Sequence, residues 1–315
     1  MRAWRNLCCD GVVPESNPSS PSAAPATVPD LDTRDEIAEL RRVAIDLALT
    51  AAARVRARRP EVFGAAPSAD VVQAKSTPTD PVTVVDTETE ELIRGLLTEL
   101  RPGERVLGEE GGGTLDGGDR EIVWVVDPID GTVNFMYGIP AYSVSVAAMR
   151  GGRSLAGAVV DVSRAVVYSA GRGAGATRTD PDGHSIPLRC NDIDNPGMAL
   201  LATGFGYGAA RRARQGELVA RVLPRVRDIR RIGSAALDLC MVAAGLVDAH
   251  YEHGLNTWDW AAGALIAAEA GARLVLPPPG SMSKSGELTV AVAPGIADEL
   301  LELFDRLGVS EAIPD

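Results

Sequence analysis

Cysteine is scarce in this sequence: its 315 residues contain four, Cys8, Cys9, Cys190 and Cys240. No Cys-x-x-Cys pair is matched by a second, which excludes the common structural zinc sites. So few thiols in so long a chain fit a reducing, cytoplasmic setting. Histidine is scarcer still, with only His184, His250 and His253. His250 and His253 stand beside Glu252, and the ordinary expectation for both is a partly exposed loop. Long apolar runs are missing. None reaches the roughly 18 residues of a membrane-spanning helix, and the nearest, Ala235 to Val247, is interrupted by Asp238. Arg2 and Arg5 are not followed by an apolar stretch, so no signal peptide is expected. Basic residues are outnumbered, giving a formal net charge of -12. That balance argues against a nucleic-acid surface, which needs clustered Lys and Arg. It suits carboxylates that gather metal cations to meet an anionic substrate, and it equally suits plain solubility.

The familiar nucleotide and acyl-transfer motifs are absent too. The glycines after Glu110 lack the Gly-Lys-Ser/Thr ending of a P-loop. Gly171-x-Gly173, with Ala176 following, starts like a dinucleotide turn but runs into the turn-rich Thr177 to Gly183, where no helix receives a pyrophosphate. No Gly-x-Ser-x-Gly elbow offers a serine nucleophile.

What is present is a chain that is 45% hydrophobic, enough for a large core, and size favours two closely packed halves. Residues 1–32, rich in Pro, Ser and Ala, read as an unstructured tail. Residues 33–190 form an N-terminal half and 191–315 a C-terminal half. Thr33-Arg-Asp-Glu36 has the form of a capping box ahead of a helix carrying Ile37, Leu40, Val43 and Leu47. Val82 to Val85 read as a short strand, and Thr87 to Glu90 as the cap of a second helix carrying Leu92, Leu96 and Leu100. Asp86 thus falls at a strand-to-helix junction. Ile122 to Val126 is a continuous apolar run, as in a strand buried on both faces. The segments from Tyr142 to Tyr168 form an antiparallel meander. Beyond residue 190, helices and strands alternate, with Ser234 capping one helix and another beginning near Trp258-Asp259.

The strongest chemical signal is Asp127-Pro-Ile-Asp130-Gly131-Thr132. A buried strand ends in a carboxylate and a tight turn brings a second. Both can point into one cavity at the strand's carboxyl end, where the amides of Gly131 and Thr132 begin a helix. Carboxylates for a hard cation beside amides for an oxyanion suit metal-assisted phosphate chemistry. Asp-Pro and Asp-Gly are also common turn dipeptides, so this pair alone remains compatible with a structural turn. Glu109-Glu110 after another apolar run, and Asp259 at another helix start, turn the weight toward a metal cage.

The set Asp86, Gly108-Glu109-Glu110, Asp127-Pro-Ile-Asp130-Gly131-Thr132 and Trp258-Asp259-x-Ala-Ala-Gly263 resembles the inositol monophosphatase family over about residues 35–312. The resemblance implies a layered αβαβα sandwich with mixed sheets, helices between and outside them, and the site between the two halves. It implies Glu109, Asp127 and the Ile129 carbonyl as ligands of a first magnesium ion, and Asp127, Asp130 and Asp259 as ligands of a second. A third, weaker ion would lie near Glu109. Oxygen-only ligands agree with magnesium. The implied nucleophile is a water activated by metal, with Glu109 and the pair Asp86–Thr132 as its catalytic partners; Asp86 could also be only a helix cap. Gly131, Thr132, Gly233, Ser234, Ala235 and Glu252, together with Asp130 and Asp259, would bind the substrate, although Glu252 could also be an exposed surface residue.

The substrate so implied is a small phosphorylated polyol, first of all inositol 1-phosphate. Fructose 1,6-bisphosphate, histidinol phosphate, phosphoadenosine phosphate and a regulatory binding role on the same scaffold are the alternatives. A homodimer and lithium sensitivity rest on the resemblance alone. Lys75 and Ser76 would belong to a loop that closes over the site, the alternative for Lys75 being an isolated surface lysine. Val133 departs from the family pattern, and the glycine loop after Glu110 is longer than a minimal one.

Overall fold

The structure is a computed structural model, and it describes residues 33–64, 72–75, 81–116, 118 and 120–315. The tail expected over residues 1–32, and Ser76, lie outside the described residues. In chain order the elements are α1 (Arg34–Val62), β1 (Val72–Ala74), β2 (Pro81–Thr83), α2 (Val84–Leu100), β3 (Arg105–Gly108), β4 (Val123–Asp130), α3 (Thr132–Tyr137), β5 (Ser143–Arg150), β6 (Arg153–Asp161), β7 (Val166–Gly171), β8 (Ala176–Thr179) and β9 (Ser185–Pro187). They continue with β10 (Leu200–Thr203), α4 (Ala209–Val222), β11 (Asp228–Arg230), α5 (Ala235–Ala243), β12 (Ala249–His253), α6 (Thr257–Glu269), β13 (Arg273–Val275), β14 (Leu288–Val292) and α7 (Ala297–Leu307).

Strands β3 to β9 lie in sequence order in a seven-stranded sheet. Its first pair is parallel and the others are antiparallel, as the meander predicts. A second sheet has the order β11-β10-β12-β14-β13, with β10 parallel to both neighbours and β14 antiparallel to both of its own. The expected layering follows from burial. On β4, Trp124 and Val126 join one core with α1 and α2, while Val123 and Val125 join another with α5 and α6. Alternation of period two thus serves two cores at once, so the strand reads as continuously apolar.

Helix α6 is apolar and buried over nearly its whole circumference, from Trp258 to Ala267, as a helix inside a sandwich must be. Gly263 lets it cross α5 closely, since a Cβ there would stand 2.9 Å from Leu239. Leu218 and Val222 of α4 and Leu300 and Phe304 of α7 cover the outer face of the second sheet. Residues 32–315 group as one compact unit.

Three local expectations change. Thr33 accepts the Glu36 amide, but Glu36 turns away to pair with Arg150, so the box is half formed. The strand ends at Thr83, which caps α2 with Asp86 in a reciprocal box, earlier than the Thr87 start expected from sequence. The buried stripe of α2 is Ile93 and Leu97, one residue on from the expected Leu92 and Leu96, and Leu100 is exposed.

Candidate active site

The carboxyl end of β4 meets the amino ends of α5 and α6 at a cavity of about 790 Å3. Glu109, Asp127, Ile129, Asp130, Gly131, Thr132, Gly233, Ser234, Ala235, Glu252 and Asp259 all line it. Of the predicted residues, only Asp86 is absent from its wall; it is buried directly behind Thr132.

Each side chain is fixed by its own local structure. Asp127 accepts the Ile129 amide at 3.0 Å, which holds the carboxylate in place. The strand does not end at Asp127 as expected: a bulge between Asp127 and Asp130 shifts the register, and β4 runs on to Asp130, which still pairs with Ser143. Gly131 takes φ +93°, and a Cβ there would stand 3.0 Å from the Gly233 carbonyl, so only glycine serves. The Thr132 hydroxyl lies 3.1 Å from Asp86 and 3.0 Å from the Ile129 carbonyl. Asp86 accepts the Thr83 amide at 2.9 Å and the Thr83 hydroxyl as well. It is therefore a helix cap and also bonds Thr132. Asp259 accepts the Asn256 amide at 2.6 Å and completes the cap of α6.

Asp130 reaches across to α5. It accepts the Ser234 hydroxyl at 2.5 Å and the Ala236 amide at 2.8 Å, a carboxylate seated on a helix amino terminus. Ser234 also caps α5 through the Leu237 amide, as expected.

The electrostatics follow from burial. Asp127 is held well above the usual carboxylate range by desolvation, and then by the charges of Glu109, Asp130 and Asp259. Glu109, Asp130 and Asp259 are raised, desolvation again coming first. Asp86 is pushed up to about 6 by burial, partly offset by its Thr83 bonds. Such a cluster needs positive charge nearby. Lys75 supplies some: its ammonium lies 2.8 Å from Glu109 and 2.6 Å from Glu110. The isolated surface lysine is thereby ruled out.

Glu252, on the C-terminal side of the cavity, belongs to a second group that extends behind the wall. Glu252 is mostly buried, with a side chain 12% exposed, and is not the surface residue weighed as its alternative. Burial pushes its carboxyl up to about 7. His250 and His253 correct the loop expectation: both are buried on β12, where pairing with β14 covers them. His250 Nδ1 lies 3.6 Å from Asp238 and Nε2 lies 3.9 Å from Glu252. Asp238, His250 and Glu252 are the one group of three such side chains, among the described residues, whose ligand atoms all lie within 4.8 Å of one another. The imidazole faces a different carboxylate from each nitrogen, and neither nitrogen has a hydrogen-bond partner.

Sequence reasoning missed Asp238 and also Arg231, which lines the cavity and stands over the Phe205 ring. The alternation of Ala249, Tyr251 and His253 with His250 and Glu252 was the available signal for a strand.

A profile of the inositol monophosphatase family matches residues 36–307. The chain belongs to the inositol monophosphatase family. It is an enzyme, a phosphatase of the inositol-phosphate type. Inositol-1-monophosphatase SuhB of Mycobacterium tuberculosis H37Rv is 59% identical over 288 residues, covering 89% of this chain and 98% of the relative. The solved structure of Mycobacterium tuberculosis SuhB superposes with a TM-score of 0.74, at 55% identity over 87% of this chain and 98% of that one. The protein named Nus factor SuhB in Pasteurella multocida is 42% identical over 230 residues, 72% of this chain and 83% of the relative. Among the described residues no helix is long and apolar enough to cross a membrane.

Proposed function

We propose that this member of the family hydrolyses inositol 1-phosphate to inositol and phosphate with magnesium. The observation that carries the reading is the gathering of Glu109, Asp127, Asp130 and Asp259 in one cavity with Glu252 and Ser234. The donor set fits magnesium: the carboxylates are hard oxygen donors, buried, and short of positive charge beyond one lysine. Glu109, Asp127 and the Ile129 carbonyl would hold a first ion, Asp127, Asp130 and Asp259 a second, and Glu109 would border a third. Bound magnesium supplies Lewis acidity to the phosphate ester and lowers the pKa of water.

The remaining work belongs to the chain. Asp86 aligns the Thr132 hydroxyl at 3.1 Å, and the two orient the attacking water with Glu109. With a pKa near 6, Asp86 is ionised above neutrality and able to accept a proton through Thr132. Gly131, Gly233, Ser234 and Ala235 frame the phosphate and polyol, and Glu252 hydrogen-bonds the ring hydroxyls. Because burial raises Glu252 to about 7, its carboxyl can accept or donate near neutral pH, which suits hydroxyl groups that do both. Residues 33–190 and 191–315 act as the two halves contributing to the site. A homodimer, cytoplasmic residence and lithium sensitivity go with this reading.

The test is phosphate release from a panel of inositol 1-phosphate, fructose 1,6-bisphosphate, histidinol phosphate and phosphoadenosine phosphate, with and without magnesium. Inositol 1-phosphate should be turned over fastest, and only with the metal. Equal turnover of histidinol phosphate would overturn the substrate, and silence toward every ester would overturn the activity. The name of the Pasteurella relative favours a second reading, a binding role on the same scaffold. Asp130→Asn should abolish phosphate release; full cellular function of that variant would favour binding.

A further inference from the structure

Glu90 belongs to no motif of the cavity, yet it is a carboxylate only 2% exposed. It lies one turn beyond Asp86 on α2, and Arg94 lies one turn further along the same face. Its two oxygens are fully engaged. Oε2 accepts the Glu110 amide at 2.7 Å, and Oε1 accepts the Gly111 amide at 2.8 Å. Arg94 closes the arrangement, donating from Nε to Oε1 at 2.7 Å and from Nη2 to the Gly112 carbonyl at 2.7 Å. The backbone immediately after Glu109 is thus clamped by one ion pair, with Glu90 buried and Arg94 half-buried.

A second observation shows that the loop is built around this carboxylate. A Cβ on Gly108 would fall 2.3 Å from Glu90 Oε1, and a Cβ on Gly111 would fall 2.7 Å from the same atom. Glycine at both positions leaves the room that Glu90 occupies. Any side chain there would push the carboxylate off the amides it binds. Helix α2 therefore sets two parts of the site from one face: Asp86 aligns Thr132, and Glu90 fixes the peptide that carries Glu109.

We infer that Glu90, held by Arg94, is a positioning residue for Glu109 and so sets the affinity for the divalent cation without touching cation or substrate. This rests on the reading of Glu109 as a magnesium ligand. The physical reason is that a carboxylate ligand contributes fully only when its backbone is already in place. Loss of such supporting bonds costs about 10- to 100-fold in metal affinity at other metal sites.

Glu90→Gln is the direct test. A Gln amide must turn one N–H donor toward a backbone N–H, so one of the two loop bonds is lost while volume is kept. Magnesium binding is measured by calorimetry on the full chain, manganese binding by electron paramagnetic resonance, and turnover across a magnesium series. Glu90→Gln should weaken cation binding roughly 10-fold and raise the magnesium concentration for half-maximal rate by the same factor, with kcat at saturating magnesium largely kept. Gly108→Ala should shift affinity in the same direction through the same carboxylate. Arg94→Lys, which keeps the charge but not the fork, should weaken it less.

If Glu90→Gln lowers thermal stability but leaves both cation affinities unchanged, Glu90 is merely structural and the inference is overturned. Failure of Glu90→Gln to fold would leave Gly108→Ala and Arg94→Lys to decide by the same affinities, unchanged values again overturning it. Absence of cation binding by the wild-type chain would instead overturn the reading of Glu109.

Discussion

Two groups of buried ionisable residues are held in opposite ways: the first lines the cavity, and of the second only Glu252 reaches its wall. Glu109, Asp127, Asp130 and Asp259 each have a named partner: a lysine, a turn amide, a helix terminus or a cap amide. Asp238, His250 and Glu252 form the other group, where Asp238 Oδ1 and both imidazole nitrogens lack any hydrogen bond. The first group is strained by its own charges. Burial raises Asp127, and Glu109, Asp130 and Asp259 add to it, a repulsion that a cation removes. The second is driven toward neutrality. Burial lowers His250 to about 3 and raises Glu252 to about 7, and it lifts Asp238 with help from the Glu252 charge.

The largest expected effect comes from the charged group. Asp127→Asn should lower phosphate release about a thousand-fold, equivalent to roughly 4 kcal/mol of barrier. The metal-free protein should meanwhile melt higher than wild type, because the central charge of the repulsion is gone. Equal melting temperatures would remove the argument from repulsion. Magnesium should raise the melting temperature of the wild type and not of the variant.

Next comes the neutral group, tested by Glu252→Gln without metal. The folded pKa of Glu252, about 7, lies above that of the unfolded chain. Its contribution to stability is therefore fully present below about pH 4.3 and is lost as pH rises through 7. The glutamine variant should match wild type near pH 4 and exceed it near pH 8 by a few kcal/mol at most. In kinetics the variant should raise KM for inositol 1-phosphate roughly 10-fold and alter kcat less, the mark of a lost hydroxyl contact. A gap in melting temperature that is constant from pH 4 to 8 would refute the buried, near-neutral Glu252.

The smallest effect is expected at His250. Because neither nitrogen is bonded, His250→Leu removes unsatisfied polar atoms and should stabilise by about 1 kcal/mol. Differential scanning calorimetry reads it, and a clear loss of stability would show that the imidazole is paired in solution.

How much of this could be read from the chain depends on distance along it. The Ser234 cap and the buried β4 run are local patterns and stand where expected, whereas the strand runs on to Asp130 past a bulge instead of ending at Asp127. The layered sandwich was legible only through the family resemblance that those motifs carry. The start of α2 was misread because Thr83 and Thr87 both offer caps, and only the partner Thr132, 46 positions away, favours the box at Asp86. His250 and His253 were misread because their burial comes from pairing with β14. Glu90 looked like any acidic residue of a first helical turn. Its role depends on amides about 20 positions later, on a loop whose path no periodicity reports.

The bond from Asp130 to the Ser234 hydroxyl spans 104 positions of the chain. During synthesis the first sheet can be complete while Asp130 still has no helix to receive it, and Asp259 is made later again. A ribosome-bound fragment ending before α5 would hold Glu109 and Asp127 by their own local partners but would lack the helix that seats Asp130. Competence is thus deferred until the last third of the polypeptide has emerged, and the enzyme cannot act on cellular phosphates while it is being made.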